Sequence, residues 1–265
     1  MLLLAQASPA PASSAAQHRA VLASEAQLAQ QSGAIGTILY ALDRAAWVST
    51  DALFRKMDRS KLSGPGGYVV ERLGDKGLRV TYYRGKGRDA TAYFVADVEN
   101  EKVVRDELLP SPAPLTERQL VLAAAREAAA DAAVAAGYKP CTAAPFNTVV
   151  MPSPDSPTVV YLLTAQTTNT SYPIGGHFRI VVGPDGKALA SRPFSASCLS
   201  LDLPKLPAGS KPVALVTSNR LDTVPTEVFV FASHSLRLPL YVVSKDQRLW
   251  KVEGRNIELQ PGGIK

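Results

Sequence analysis

Twice along this chain, a helix-forming segment precedes a series of short alternating segments that turn residues separate. The first helix-forming segment covers residues 17–32, and Gly33 and Gly36 interrupt its pattern. Either a helix or a strand could follow over residues 37–53, since periodicity alone does not distinguish them. The second starts at Thr116, which can cap a helix, and is rich in alanine as far as Ala136. Helices ahead of antiparallel strands are typical of α+β proteins. We therefore predict an α+β fold: an N-terminal helix plus β-meander, then an Ala-rich helix plus a larger antiparallel sheet.

The strand-like segments of the first half are bounded by turn residues and predict a small antiparallel sheet. They cover residues 68–73, 78–84, 91–98 and 101–108. The last two pair Asp97 with Lys102, two opposite charges across the strands. Residues 109–114, L-P-S-P-A-P, predict a stiff linker or a domain boundary.

The second half contains about seven strand-like segments, as far as Val252. The last two turn at Lys245-Asp246 and pair Tyr241 with Trp250. We predict three segments in all: 1–16 as a signal-peptide remnant and spacer, 17–110 as a helix plus small antiparallel sheet, and 111–265 as the Ala-rich helix plus larger sheet. The last two segments could also form one continuous domain.

A hairpin with basic residues on one face is predicted within residues 172–201. The turn Gly183-Pro184-Asp185-Gly186 lies between two alternating segments. A turn centred there pairs His177 with Arg192, Phe178 with Ser191 and Ile180 with Leu189. Side chains alternate along strands, so His177, Arg179 and Arg192 would share one face. Arginine binds carboxylates and phosphates well, which makes these three residues a candidate site for a small anionic ligand. The competing interpretation is that they are ordinary solvent-facing charges.

The first residues of the chain suggest export. An apolar stretch at residues 2–5 is followed by Ala5-Gln6-Ala7, a small-x-small cleavage pattern, and by a spacer of Pro, Ala and Ser. The positive n-region of a signal peptide is missing, so either the true start lies upstream or the segment is an accidental Ala-rich tail. The two cysteines fit an oxidising compartment, where an isolated pair forms one disulfide. We therefore predict a secreted or periplasmic protein with a Cys141–Cys198 disulfide.

Composition and motifs argue against several classes of function. The chain has 29 basic and 23 acidic residues, but they are interspersed and few aromatic residues lie beside the basic ones, so nucleic-acid binding is not expected. No apolar segment is long enough for a transmembrane helix. Neither cysteine has a second ligand at zinc spacing. Motifs of hydrolases and P-loops are absent from the sequence. We therefore expect no catalytic residues, no cofactor and no metal, and a monomer.

Four further segments read D-R-A-A-W-V-S-T-D, P-F-N-T-V-V-M-P, Y-P-I-G-G-H-F-R-I and S-R-P-F-S-A-S-C-L. Together they resemble a family of exported bacterial proteins with no known activity, over most of the chain after residue 17. The resemblance implies a secreted or periplasmic setting and supplies no activity, substrate or catalytic residue.

Three functions remain open from the sequence. The favoured one is a non-enzymatic exported protein that binds a ligand or partner through one sheet face. The second is a periplasmic hydrolase of unrecognised type that uses His177 or His234. The third is a cell-envelope accessory or structural protein, which would bind another envelope protein.

Overall fold

The computed structural model describes residues 14–62, 64–151, 157–205, 207, 210 and 212–262, with side chains from residue 23 onward. It begins with a single long helix, α1 (Ser14–Lys56), and continues into antiparallel strands. A second helix and further sheets follow, so the predicted α+β class is confirmed. Residues 1–13 of the predicted leader lie outside the described part of the chain. The helix already includes residues 14–16, which were predicted to belong to the spacer.

The first sheet is an antiparallel meander whose strands lie side by side in chain order. Its strands are β1 (Gly66–Leu73), β2 (Gly77–Arg84), β3 (Thr91–Glu99) and β4 (Lys102–Pro114). All four predicted strands are therefore present, but the linker predicted at 109–114 is wrong, because β4 continues through it. Prolines are tolerated there because β4 is an edge strand, where a missing N–H breaks no ladder.

The predicted register of β3 and β4 is also wrong. Asp97 pairs with Arg105, and Lys102 pairs with Glu99. An irregularity between Asp97 and Val98 shifts the ladder, and such a bulge cannot be read from alternation alone.

The Ala-rich helix α2 (Glu117–Ala135) begins with the predicted cap. The Thr116 hydroxyl accepts the backbone N–H of Gln119, whose side chain in turn accepts the backbone N–H of Thr116. The helix stops before Gly137, whose φ of +69° favours glycine. Its buried alanines pack against Val160, Ile180 and neighbouring apolar residues of the second half.

After α2, the chain forms one four-stranded antiparallel sheet and one two-stranded sheet. The strands are β5 (Asn147–Met151), β6 (Thr158–Leu163), β7 (Ser171–Pro173), β8 (Phe178–Val182), β9 (Ala188–Pro193) and β10 (Ser200–Asp202). The larger sheet has the order β5-β6-β8-β9, and β7 pairs with β10.

The C-terminal part forms a separate four-stranded sheet that includes one parallel pair. Its elements are β11 (Leu215–Ser218), α3 (Glu227–Leu236), β12 (Leu240–Val243), β13 (Leu249–Glu253) and β14 (Asn256–Leu259). Strands β11 and β12 are parallel, and α3 is the crossover that such a pair requires. Trp250 pairs with Val242, not with Tyr241 as predicted.

Helix α3 lies in the part of the chain where we predicted a series of strand-like segments and no further helix. Its residues Glu227–Ser233 are all buried, so the sequence shows no polar face from which a helical period could be read. Helix α1 packs closely against it. A Cβ atom on Gly36 would lie 2.5 Å from both the Glu227 carbonyl oxygen and the Val230 Cβ. Gly36, which we predicted to interrupt the helix, therefore lies inside α1 at its contact with α3.

The main apolar core joins both halves of the chain. It combines Leu39 of α1, Phe94 of the first sheet, Tyr161 of β6, Phe229 of α3 and Val252 of β13. Buried contacts therefore cross the boundary predicted at residue 110, although the division itself stays a prediction.

The predicted disulfide is confirmed: Cys141 and Cys198 are bonded, with their Cα atoms 5.4 Å apart. It links the segment after α2 to the segment before β10. Among the described residues, no helix has the length and apolar character to cross a membrane.

Candidate functional site

The predicted hairpin exists as β8 and β9, but its register differs from the prediction. Arg179 pairs with Arg192, Phe178 with Pro193 and Ile180 with Ser191. The loop is longer than predicted, because the Gly183 N–H bonds to the Lys187 carbonyl oxygen and the ladder shifts next to Val182. The arginines therefore lie directly opposite each other.

His177 does not join the two arginines on a shared face. Its side chain is only 1% exposed. Its Nδ1 accepts the backbone N–H of Thr164 at 3.1 Å, and its Nε2 lies 3.3 Å from the Pro173 carbonyl oxygen, to which it can donate. Burial lowers the pKa of His177 to about 4, so the ring is neutral at physiological pH. His177 thus connects two backbone segments inside the protein.

Each arginine of the predicted site already has a carboxylate partner. Arg179 Nη1 donates to Glu227 at 3.0 Å, and Arg192 Nη2 donates to both Asp222 oxygens at 2.8 and 3.1 Å. The two guanidinium groups lie 5.9 and 4.7 Å from the ring centroid of Phe194. The structure therefore brings Arg179 and Arg192 together and leaves His177 apart. Anion binding by these residues stays a prediction.

A cleft of about 580 Å³ lies elsewhere, along one face of α1. Four α1 residues line it at helical spacing: Tyr40, Asp43, Arg44 and Trp47. Its other walls are the start of β5, the end of α3 and the segment from β6 to β7. Their main polar side chains in the cleft are Asn147, Thr164, Gln166, Tyr172, Ser235 and Arg237.

Asp43 is the unusual residue of this cleft. Among the described residues, none lies within ion-pair distance of its carboxylate, and no side chain donates a hydrogen bond to it. Part of its surface stays open to the cleft. The surrounding protein nevertheless removes enough water that burial raises the pKa of Asp43 to about 7, against a smaller opposite effect of Arg44. This carboxyl group can therefore gain or lose a proton near neutral pH.

Arg44 follows Asp43 in the chain but is directed elsewhere. Its guanidinium carbon lies 4.3 Å from the Trp47 ring centroid, in a cation–π contact. Its Nε lies 3.3 Å from Glu101 without the direction of a hydrogen bond. Arg237 donates to the same Glu101 carboxylate at 3.5 Å. One acidic residue thus holds both cations at the rim of the cleft.

Two tyrosines of the cleft stay protonated. Burial raises the pKa of Tyr172, and the nearby Asp43 charge raises it further. Burial also raises the pKa of Tyr40, whose ring stacks on His234 with centroids 5.1 Å apart. Both phenols are therefore neutral groups that can donate or accept hydrogen bonds.

The cleft was not predicted from the sequence. Its signal was the spacing of Tyr40, Asp43, Arg44 and Trp47, which places all four on one face of a continuous helix. That signal requires residues 37–53 to be helical, and the sequence left helix and strand open there. Arg237 and Tyr172 reach the cleft only through the tertiary fold.

Among the described residues, no group of three or more His, Cys, Asp or Glu side chains could hold a metal ion. Comparison of the chain with protein-family models, curated proteins and solved structures finds no match.

Proposed function

We propose that this is a non-enzymatic exported binding protein and that its ligand is a small polar molecule held in the α1 cleft. The observation that carries the proposal is the carboxylate of Asp43, which lines the cleft and has no ion-pair partner in the part of the chain that the structure describes. The cleft volume of about 580 Å³ lies within the range of small-molecule sites.

A stability argument supports the same conclusion. Removing water from an unpaired carboxylate costs free energy, which a hydrogen-bond donor or a cation would offset. The guanidinium group of Arg44, the next residue in the chain, contacts Trp47 and Glu101 instead of Asp43. Groups with perturbed pKa values in a cleft are common at functional sites, where binding compensates the cost.

The compartment rests on the disulfide and the sequence. A disulfide that connects distant segments is typical of secreted and periplasmic proteins, because the cytosol keeps thiols reduced. The leader-like residues at the start of the chain favour the same compartment. We propose that the protein acts there as a monomer.

The contacts of the histidines do not favour the hydrolase alternative. Both ring nitrogens of His177 face backbone groups. The Nε2 of His234 lies 3.2 Å from the Thr37 hydroxyl, and its ring is stacked on Tyr40. The Thr37 hydroxyl donates its proton to the Gly33 carbonyl oxygen at 2.8 Å, so His234 does not take that proton as a general base would.

Tryptophan fluorescence tests the proposal directly. The chain has two tryptophans: Trp47 lines the cleft and is 54% exposed, and Trp250 is 4% exposed. A panel of amino acids, amines, sugars and organic acids should contain compounds that change the emission saturably. The matched variant Trp47→Phe should lose that response. If no compound alters the emission or melting temperature of the wild type, the cleft is not a small-molecule site.

A further inference from the structure

Among the described residues, the carboxylate of Asp43 has no ion-pair partner in the cleft. Its neighbour Arg44 is held away by the Trp47 ring and by Glu101. The groups around Asp43 supply hydroxyl, amide and aromatic surface, but among the described residues no cation reaches its oxygen atoms. A cationic group of a ligand would complete an ion pair there.

The remaining walls of the cleft fit a cation as well. Aromatic side chains line it from three elements: Tyr40 and Trp47 from α1, Tyr172 from β7 and Phe231 from α3. Aromatic faces attract ammonium groups through the negative potential of their π-electrons. A carboxylate in a cleft lined by aromatic side chains is therefore suited to an ammonium group more than to an anion.

Resting on the proposed function, we propose that the ligand is the cation of a small primary amine, and that Asp43 binds its ammonium group. A carboxylate can accept the three N–H donors of such a group in several directions.

Other charged and titratable groups surround Asp43 on every side. They are Tyr40, Arg44 and Asp51 on α1, Arg59 after it, Tyr68 on β1, Tyr172 on β7 and Arg237 after α3. The tyrosines are neutral near pH 7. Arg44 and Arg237 share the one carboxylate of Glu101, and Arg59 adds a third cation, so a second positive charge on the ligand would be repelled. We therefore expect monoamines to bind more tightly than polyamines.

Binding has a defined proton balance. Below neutral pH, the protonated carboxyl of Asp43 gives its proton to solvent, and the resulting carboxylate pairs with the ammonium ion. No covalent bond forms with the ligand. Burial raises the pKa of Asp43 to about 7, so this proton is released within the physiological range. Affinity should then rise about tenfold per pH unit up to pH 7 and level off above it.

The experiment compares butylamine with butanol, a neutral molecule of similar shape, on the full chain. Trp47 emission and isothermal titration calorimetry give the affinity between pH 5 and 9, and calorimetry in buffers of different ionisation enthalpy counts protons. We expect butylamine to bind, butanol to bind at least tenfold more weakly, and about one proton to leave below pH 7. Putrescine, a diamine, should bind more weakly than butylamine.

Asp43→Asn should lower the affinity for butylamine at least tenfold and remove its pH dependence, whereas Asp131→Asn, an exposed change on α2, should alter neither. Circular dichroism verifies that both variants fold, and Asp43→Glu should keep part of the affinity.

Equal binding of butylamine and butanol, or an affinity that falls as pH rises, would overturn the amine proposal. If other panel compounds bind and amines do not, the cleft remains a binding site and only this inference fails. If no compound binds, both proposals fail.

Discussion

The guanidinium carbon of Arg44 lies 4.3 Å from the ring centroid of Trp47, one turn further along α1. This contact, together with Glu101, directs the positive charge of Arg44 away from the adjacent Asp43. Two neighbouring residues of opposite charge therefore form no ion pair with each other. The acidic group that remains in the cleft is the basis of the proposed ligand site.

The first prediction concerns the stability of the Asp43→Asn variant. The folded protein holds the Asp43 proton up to a pH of about 7, whereas the unfolded chain releases it near 3.8. Between these values the folded state binds more protons, so the free energy of unfolding falls as pH rises. Asparagine removes this effect. The variant should be about 1–3 kcal/mol more stable than wild type at about pH 8, a value reduced because Asp43 is partly open to water.

Urea denaturation at acidic and alkaline pH measures this difference. Near pH 4 the two proteins should differ little, because both the folded and unfolded wild type then hold much of the proton. A stability difference that is the same at both pH values would mean that Asp43 does not titrate as described.

The second prediction concerns the disulfide. The Cys141–Cys198 bond closes a loop with a sequence separation of 57 residues. Such a loop restricts the unfolded chain, and its loss should lower the free energy of unfolding by about 3–4 kcal/mol. Guanidinium unfolding of the Cys141→Ser/Cys198→Ser variant gives this value. A reducing agent should destabilise the wild type by a similar amount and leave the double variant unchanged.

The third prediction concerns the close contact between α1 and α3. Alanine favours helices more than glycine does, so Gly36→Ala would stabilise an isolated helix by about 1 kcal/mol. In the folded protein, the added Cβ would lie 2.5 Å from Glu227 O and Val230 Cβ, and the helices must separate. We expect a net loss of about 1–3 kcal/mol in thermal unfolding.

The exposed residue Gln30 on the same helix provides the control for Gly36. Gln30→Ala should change stability by less than about 0.5 kcal/mol. A stabilised Gly36→Ala variant would show that α3 can move away from α1 without cost.

The fourth prediction concerns the buried carboxylate of Glu227. It accepts hydrogen bonds from the Tyr161 hydroxyl at 2.8 Å and from Arg179 at 3.0 Å. Arg179→Ala would leave a buried charge without its cation and should cost about 2–4 kcal/mol of stability. The combined change Arg179→Met/Glu227→Gln should recover part of the loss.

Arg192→Ala serves as the comparison in the same denaturation experiment. Its partner Asp222 is more exposed than Glu227, so water can replace the lost hydrogen bonds. The cost should be about 1 kcal/mol or less. Equal losses for both arginines would show that the burial of Glu227 is unimportant.

Local signals in the sequence predicted a large part of the fold. The capping box of Thr116 and Gln119, the turns that separate β1 to β4 and the glycine after α2 each act within a few residues. The disulfide was predictable because the chain has two cysteines, so only one intramolecular pairing exists. The strand registers were predicted less well, since bulges next to Asp97 and Val182 depend on contacts across the sheet.

The sequence by itself determined the four strands of the first sheet, where α2 begins and which cysteines bond, because these features follow from short-range chemistry. Only the tertiary structure decided that α1 continues through Gly36, that E-V-F-V-F is helical and that His177 is buried. In each case, burial against distant residues outweighs local preference. The cleft follows the same rule: the sequence places Asp43 on a helix face, and the fold brings Tyr172 and Arg237 to it while Glu101 and Trp47 hold Arg44 away.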